Sequence, residues 1–266
     1  MMPTAQPDVL KRCCASAYET EFARMLLGDS FHPGGLDLTR RLGELLNLRP
    51  GLRVLDVASG KGQSAIFLAR EFGCEVIGVD LGRQNVNEAA ERAAAAGMSH
   101  LAKFREGDAE NMQFPDATFD RVICECAFCT FPDKLAAARE FGRVLSRDGR
   151  IGISDLTRRG PVPAELNGLL AWISCIADAR PISEYVADLE AASLVTTIEA
   201  HDNCLLQMAR DVQTRLLGLE VMAGLKKLDL PGVDLTEAKQ FARAAMRAIQ
   251  EGVFGYSVII AGRRSG

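Results

Sequence analysis

Short apolar runs alternate with longer amphipathic stretches along the chain. The runs are rich in β-branched residues, which is typical of buried strands, and the stretches between them carry the periodicity of helices with one apolar face. Seven strands are predicted: Arg53–Ser59, Glu75–Leu81, Lys103–Asp108, Asp120–Cys126, Arg150–Leu156, Leu194–Ala200 and Tyr256–Gly262. Because strands that alternate with helices form parallel βαβ units, the pattern predicts an α/β fold with helices on both faces of the sheet.

Helical periodicity also precedes the first strand and fills the long stretch before the last one. The predicted helices are Asp8–Leu27, Leu36–Leu46, Gly62–Glu71, Gln84–Ala96, Pro132–Leu145, Pro163–Ala179, Ser183–Ala192, Cys204–Leu225 and Leu235–Gln250. The 55 residues between the last two strands are too many for a hairpin, so their two helices are expected to join the N-terminal ones as a cap. We expect one domain over residues 1–266, with an N-terminal helical cap at 1–48, a core at 49–160, and substrate-side helices with the last two strands at 161–266.

Composition excludes several classes of protein. Hydrophobic residues make up 48% of the chain and charged residues 25%, which is typical of a globular protein. A net charge of -4, one Trp and three Tyr do not suit a nucleic-acid partner. No run approaches the roughly 18 apolar residues of a membrane span, so no membrane partner is expected. Without a secretion signal, the eight cysteines are expected to be reduced thiols in the cytoplasm.

The segment Val54–Ala69 carries the strongest chemical signal, because a buried strand leads through a turn of small residues into a helix. The small residues of the turn are Ala58, Ser59, Gly60 and Gly62. Such a turn lets the backbone approach a ligand, and the following helix offers unpaired N–H groups. A P-loop is excluded because Lys61 is followed by glycine rather than serine or threonine. A dinucleotide fingerprint fits Gly60–Ala65, with Asp80 as the ribose acid, so a nicotinamide-dependent oxidoreductase stays open.

Three acids come at the ends of successive strands: Asp56, Asp80 and Asp108. Because the carboxyl ends of parallel strands meet at one edge of a sheet, we expect these acids along one rim. There Asp56 would meet a cationic amino-acid end, Asp80 would accept from both ribose hydroxyls, and Asp108 would accept from an adenine amino group. A pyrophosphate would be repelled by Asp56, so the three together favour a cationic nucleoside, although each acid alone could equally cap a turn.

These motifs resemble those of class I S-adenosylmethionine (SAM)-dependent methyltransferases. The resemblance rests on Leu55–Gly62, Gly78–Leu81, Gly107–Asp120 and Phe141–Asp155. It implies a seven-stranded Rossmann-like sheet with an antiparallel last strand, and SAM as the cofactor. The implied SAM-binding residues are Asp56, Ala58, Ser59, Gly60, Gly62, Asp80, Leu81, Asp108, Ala109 and Cys124. Ala58 stands where the family usually has its first glycine, and it fits there if its φ is negative.

Cysteines suggest what receives the methyl group. Thiolates bind soft centres such as trivalent arsenic, although a free cysteine often only packs. Ile123–Lys134 and Trp172–Leu194 resemble segments of the arsenite SAM-methyltransferases, which makes Cys175 a metalloid ligand. The candidate catalytic residues are Cys126, Cys129 and Cys175, and the candidate metalloid ligands are Cys126, Cys175 and Cys204. The family's cysteine before the glycine turn is missing, and Cys126, Cys129, Cys204 or the Cys13–Cys14 pair could substitute for it. No metal-ion site is predicted.

The function expected from the sequence is methyl transfer from SAM to a small thiophilic acceptor such as trivalent arsenic. A neutral As(III) lone pair needs no deprotonation, so positioning and desolvation would do most of the catalysis. Methylation of carbon, oxygen or nitrogen in a small metabolite is the alternative, with His32 or His201 as general base. Tyr18 could close over SAM in either case. A binding module without turnover is a third interpretation.

Overall fold

The computed structural model describes residues 22, 25–26, 32–166, 171, 175–225 and 233–263. These residues form a seven-stranded sheet in the order β3-β2-β1-β4-β5-β7-β6. The strands are β1 (Arg53–Val57), β2 (Glu75–Asp80), β3 (Ala102–Glu106), β4 (Phe119–Glu125), β5 (Leu145–Arg158), β6 (Leu194–Ala200) and β7 (Phe254–Arg263). The first five pair in parallel, and β7 runs antiparallel to both of its neighbours. The α/β class and the antiparallel last strand are therefore confirmed.

Seven α-helices are described. They are α1 (Gly35–Leu45), α2 (Gln63–Phe72), α3 (Arg83–Ala95), α4 (Lys134–Val144), α5 (Ile182–Ala191), α6 (Asp202–Gly224) and α7 (Leu235–Gln250). From β1 the chain moves to one side of the sheet through β2 and β3, and it later moves to the other side through β4 and β5. Because both sets of crossovers are right-handed, α2 and α3 cover one face of the sheet and α4 covers the other face. Among the described helices, none combines the length and the apolar character that crossing a membrane requires.

The predicted helix Pro163–Ala179 is wrong at its described ends. Ala164–Leu166 is a short 3-10 turn, and residues 175–179 form turns rather than a helix. Cys175 has a φ of 63°, in the left-handed region, which interrupts a right-handed helix. Trp172 lies outside the described residues.

The N-terminal cap is described only in part. Of the predicted helix Asp8–Leu27, Phe22, Met25 and Leu26 are described and helical, whereas Cys13, Cys14 and Tyr18 lie outside the described residues. Phe22 and Leu26 pack against a small apolar cluster shared by α6 and α7. Arg215 of α6 donates to the Leu26 carbonyl over 3.0 Å. The described N-terminal residues thus contact the late helical pair, and the predicted cap over residues 1–48 stays a prediction.

The turn between β1 and α2 has three residues in the left-handed region. The φ angles are 57° at Ala58, 50° at Gly60 and 76° at Gly62. The expectation of a negative φ at Ala58 is therefore wrong. The turn is held on β2, because Ser59 donates its N–H to the Val79 carbonyl over 3.0 Å. A left-handed alanine costs roughly 1–2 kcal/mol, so these contacts offset local strain.

Arg143 of α4 fixes the loop that follows β3. Its guanidinium donates to the Phe114 carbonyl over 2.7 Å, the Met112 carbonyl over 2.9 Å and the Asp116 carboxylate over 2.8 Å. It also pairs with Glu140 one helical turn earlier, at 2.7 Å. The hydrogen bond from Arg143 lowers the pKa of Glu140 below its usual value. One side chain therefore joins the loop after Asp108 to α4.

Replacing Ala58 with glycine should stabilise the protein by about 0.5–1 kcal/mol, because relief of left-handed strain exceeds the entropic cost of glycine. Urea unfolding of the purified variant measures this difference. The matched control is Ala90→Gly on the exposed face of α3, which should lose about 1 kcal/mol. A loss of stability in Ala58→Gly as large as in the control would contradict the assigned turn geometry.

Replacing Arg143 with methionine should destabilise the protein by about 1–3 kcal/mol at pH 7, since carbonyls of the loop lose their donors. In the unfolded chain the pKa of the Glu140 carboxyl is near 4.5, and in the folded protein it is lower. The ion pair therefore adds its full stabilisation at a pH above 4.5, and this stabilisation is lost as the pH falls through the lower, folded pKa. The difference from wild type should therefore shrink between pH 7 and pH 3. Arg147→Met, at an exposed position nearby, is the control. A difference that grows on acidification would refute this role for the pair.

Candidate active site

Strand register brings the ends of β1, β2 and β4 to one edge of the sheet. Val57 is paired with Val79 on one side and with Cys124 on the other. Two residues further along the chain from the pair of Val57 with Cys124, Ser59 of the glycine turn is level with Cys126. This edge lies where the strand order reverses, which is the usual ligand crevice of an open parallel sheet.

Asp80 holds the glycine turn directly. One carboxylate oxygen accepts the Gly60 N–H over 2.8 Å. The other accepts the Gly82 N–H over 2.8 Å and the Asn85 side-chain amide over 3.2 Å. The proposed ribose acid is thus fixed in position by the protein itself.

Lys61 anchors the same turn to α3. Its side chain is only 8% exposed, and its ammonium lies 2.9 Å from the Glu88 carboxylate. The hydrogen bond from Lys61 lowers the pKa of Glu88. A Cβ at Gly62 would approach Phe104 within 2.6 Å and Ala89 within 2.8 Å, so glycine there allows the turn to dock on its neighbours.

Asp56 is buried at the end of β1 beside the turn. Among the described residues, its Oδ2 has no hydrogen-bond partner. Burial, followed by the charges of Glu125 and Asp80, raises the pKa of Asp56 well above its usual value. A cationic group placed beside Asp56 would lower that pKa and restore the charge of the carboxylate.

Glu125 is a site residue that sequence reasoning missed. Its side chain is 4% exposed and accepts from Ser64 over 2.6 Å and Thr39 over 3.1 Å. Nε2 of His32 lies 3.7 Å from the same carboxylate oxygen. The only sequence signal was a charged residue at the end of an otherwise buried strand. Glu125 joins β4, α1, α2 and His32 at the edge of the candidate site.

The remaining predicted cofactor residues lie around the same edge. Asp108 comes two residues after β3 ends, so the predicted strand Lys103–Asp108 extends too far. Its carboxylate accepts the Glu110 N–H over 2.9 Å, which is the turn-capping role. Ala109 and Cys124 are buried, and Leu81 is partly buried. Contact of these residues with adenine or with the methionine end stays a prediction.

Three of the predicted acceptor thiols come together. The sulfur atoms of Cys126 and Cys175 are 3.9 Å apart, and the Cys175 thiol lies 3.6 Å from the Cys126 carbonyl. Cys129 lies close enough to Cys175 for the two thiols to influence each other electrostatically. Both Cys126 and Cys175 have left-handed backbones, with φ of 52° and 63°. Strained backbone of this kind is concentrated at functional sites, which motivates a ligand-binding role.

The surroundings of Cys126 and Cys129 favour the neutral forms of these two thiols. The hydrogen bond with Cys175, followed by burial, raises the pKa of Cys126, and burial raises the pKa of Cys129. Asp155 accepts the Cys129 backbone N–H over 2.8 Å. Burial, followed by the charge at Cys175, raises the pKa of Asp155 to about 7. A soft ligand bound as a thiolate complex would therefore displace protons from the pair.

Cys204 and His201 occupy a different part of the edge. The Cys204 sulfur lies against Gly34, just before α1, and burial raises its pKa. Among the hydrogen bonds of the described residues, none joins Cys204 to the three clustered thiols, so its role as a ligand stays a prediction. His201 pairs with Glu199 of β6 at 3.4 Å. Across the described ranges, no three His, Cys, Asp or Glu side chains are arranged to hold a metal ion. In the described part of the site, the close sulfur–sulfur contact is the one between Cys126 and Cys175.

Comparison with known proteins agrees with the sheet topology. Residues 54–149 match the family described as a methyltransferase domain. The chain is 31% identical to the methyltransferase GfsG of Streptomyces halstedii over 169 residues, which is 62% of the chain and 61% of that protein. It is 30% identical to the 27-O-demethylrifamycin SV methyltransferase of Amycolatopsis mediterranei over 188 residues, covering 66% and 65%. The chain therefore spans less than two thirds of either relative.

A solved structure shares the fold. It is phosphoethanolamine N-methyltransferase 2 of Haemonchus contortus, in complex with phosphomonomethylethanolamine and S-adenosylhomocysteine. The TM-score is 0.80 at 17% identity, over 96% of this chain and 60% of that one. The oxidoreductase interpretation of the glycine turn is thus set aside. Topology, the domain match over residues 54–149 and the relatives together support a SAM-dependent methyltransferase.

Proposed function

We propose that the protein transfers the methyl group of SAM to a small thiophilic acceptor, such as a trivalent arsenic species, held by Cys126 and Cys175. The 3.9 Å separation of these two sulfur atoms carries the proposal. The residues are 49 positions apart in sequence, so the pairing is a product of the fold. Two thiols so placed chelate soft centres better than they bind hard cations.

Three features of the glycine turn and of the acids beside it support SAM as the cofactor. A Cβ added at Gly60 would meet nothing within 4 Å, so the backbone there faces open space. The buried, unpartnered oxygen of Asp56 suits a cationic amino-acid end. A carboxylate offers about four acceptor positions and Asp80 uses three within the protein, so we propose that it takes one ribose hydroxyl rather than two. The proposed set remains Asp56, Ala58, Ser59, Gly60, Gly62, Asp80, Leu81, Asp108, Ala109 and Cys124.

The chain's own residues would bind and orient the acceptor without a general base. SAM, when bound, supplies an electrophilic methyl group. An acceptor of the As(OH)₃ type would form two As–S bonds, and each thiol proton would leave as water with one displaced hydroxide. Thiols that carry their protons suit that exchange, because each supplies the proton that the displaced hydroxide takes up. The thiols would then hold the arsenic lone pair at the carboxyl end of β4, where positioning and exclusion of water favour the displacement.

Methylation of a small metabolite is the second candidate, and His32 favours it. A histidine 3.7 Å from the buried Glu125 carboxylate is oriented as a general base would be. The relatives' names also point to metabolites, since they include the rifamycin methyltransferase and phosphoethanolamine N-methyltransferase 1 of Arabidopsis thaliana. His201 lies beside Glu199 of β6, the strand at the outer edge of the sheet, whereas His32 lies beside Glu125 at the end of β4. We therefore assign the base in this candidate to His32. A binding module without turnover stays as the third interpretation.

For the domain organisation we propose the single domain that the sequence predicts. Residues 1–266 would form one methyltransferase domain, with a cap at 1–48, a core at 49–160 and a substrate side at 161–266. The six described cysteines are all free thiols, which fits a reducing cytoplasm. We propose no nucleic-acid and no membrane partner.

Replacing Cys175 with serine should lower methylation of arsenite, assayed with SAM and glutathione, by about 100-fold or more, which corresponds to about 2.7 kcal/mol. Cys126→Ser should behave alike, while both variants keep their affinity for SAM. Products and S-adenosylhomocysteine are measured by mass spectrometry. Cys74→Ala, in the core behind α2, is the matched control. Full activity of Cys175→Ser on arsenite would exclude the thiophilic proposal, and no S-adenosylhomocysteine with any acceptor would favour the binding module.

Replacing His32 with glutamine tests the second candidate on a panel of oxygen and nitrogen acceptors. If His32 is the base, kcat should fall by about 100-fold or more on whichever acceptor is turned over. His100→Gln, exposed just before β3, should stay within about threefold of wild type. Equal rates for His32→Gln and wild type on such an acceptor would remove the histidine from the mechanism.

A further inference from the structure

A buried ion pair joins the two segments that carry the acceptor thiols. Lys134 is the first residue of α4, and its side chain is 1% exposed. Its ammonium pairs with the carboxylate of Asp178 and donates to the Phe131 carbonyl over 3.0 Å. Asp178 lies three residues after Cys175, and Lys134 lies five residues after Cys129. The pair therefore spans the same gap that the thiols span.

Secondary structure does little to fix the Cys175 side of this gap. Residues 175–179 form turns, and Cys175 has a left-handed backbone. A helix or strand would fix the direction of a thiol through its own hydrogen bonds, whereas a turn depends on contacts with other segments. One such contact is the bond from Arg158 to the Ala179 carbonyl, at 2.7 Å. Another such contact is the ion pair between Asp178 of this turn and Lys134 of α4.

Stability alone does not require a lysine at this place. Fully buried lysines are rare, and an apolar side chain of similar volume is often as stabilising as a buried ion pair. Asp178 is 29% exposed and also lies 3.9 Å from Arg180, so it has a second cationic neighbour. Lys134 adds a directional, charged hydrogen bond from the N-terminus of α4 to Asp178, in the segment that carries Cys175.

We propose that Lys134 and Asp178 form a positioning pair that sets the separation of the Cys126 and Cys175 thiols for a ligand that both sulfurs bind at once. The inference rests on the proposed thiophilic acceptor. It concerns geometry only: neither residue touches the acceptor. Loss of the pair leaves each thiol present and reactive but removes the fixed distance between them.

Phenylarsine oxide is the probe, because it forms two As–S bonds and releases one water when two thiols are correctly spaced. Its affinity is measured by titration calorimetry on the full chain, and the rate of single-thiol alkylation by iodoacetamide is followed by mass spectrometry. In Asp178→Asn and Lys134→Met, the Kd for phenylarsine oxide should rise about tenfold or more, about 1.4 kcal/mol. Alkylation of Cys126 and Cys175 should be as fast as in wild type or faster, and SAM affinity should change by less than about twofold.

Lys239→Met is the matched control, because Lys239 also pairs with an acid, Glu220, but between α6 and α7. It should leave phenylarsine oxide binding unchanged. The exchanged pair, Lys134→Asp with Asp178→Lys, should recover part of the affinity, which a purely structural loss would not. Asp178→Asn keeps the side-chain shape and covers the case in which Lys134→Met fails to fold.

Unchanged phenylarsine oxide affinity in folded Asp178→Asn would overturn the inference, as would a wild-type protein that does not bind the probe. Loss of SAM binding in parallel with loss of probe binding would also overturn it, since that pattern indicates general unfolding. Wild-type binding that weakens as expected, without any methylation of arsenite, would leave the positioning pair established and refute the proposed function instead.

Discussion

The hydrogen bond between the Gly60 N–H and the Asp80 carboxylate is the constraint on which the proposed cofactor side of the site depends. It binds the turn after β1 to the end of β2, and the turn so held contains three left-handed residues, among them Ala58. Lys61 and Glu88 fix the same turn from the side of α3. The loop is thus shaped by the protein, and a ligand meets a backbone whose conformational entropy is already lost.

The proposed acceptor side is held together differently. Its thiols come from the end of β4 and from a turn before α5, and they are brought together by tertiary contacts rather than by a shared element. The buried Glu125 lies between the two halves, with hydroxyl donors from α1 and α2. The proposed cofactor half therefore rests on backbone hydrogen bonds, whereas the proposed acceptor half rests on contacts between side chains, among them the ion pair of Lys134 with Asp178.

Periodicity predicted the sheet well because its strands are buried on both faces and read as continuous apolar runs, as in β1 and β4. The thiol cluster was also predictable, since a resemblance named Cys126 and Cys175 together. Three features were not. The φ of Ala58 follows from a hydrogen bond to a distant strand, the turn at Cys175 interrupts an apparently helical pattern, and Glu125 is satisfied by partners 86 and 61 residues away.

The left-handed backbone at Cys126 and Cys175 has a consequence for how acceptor preference can diverge. Asparagine and glycine adopt that conformation more readily than cysteine does. If the thiols bind a soft acceptor as we propose, substituting asparagine or glycine at either position would relax the backbone and remove that binding, while the proposed cofactor turn would be unchanged. Under that proposal, substitutions at two positions would be enough to convert a site for a soft element into a pocket for an organic acceptor, or the reverse.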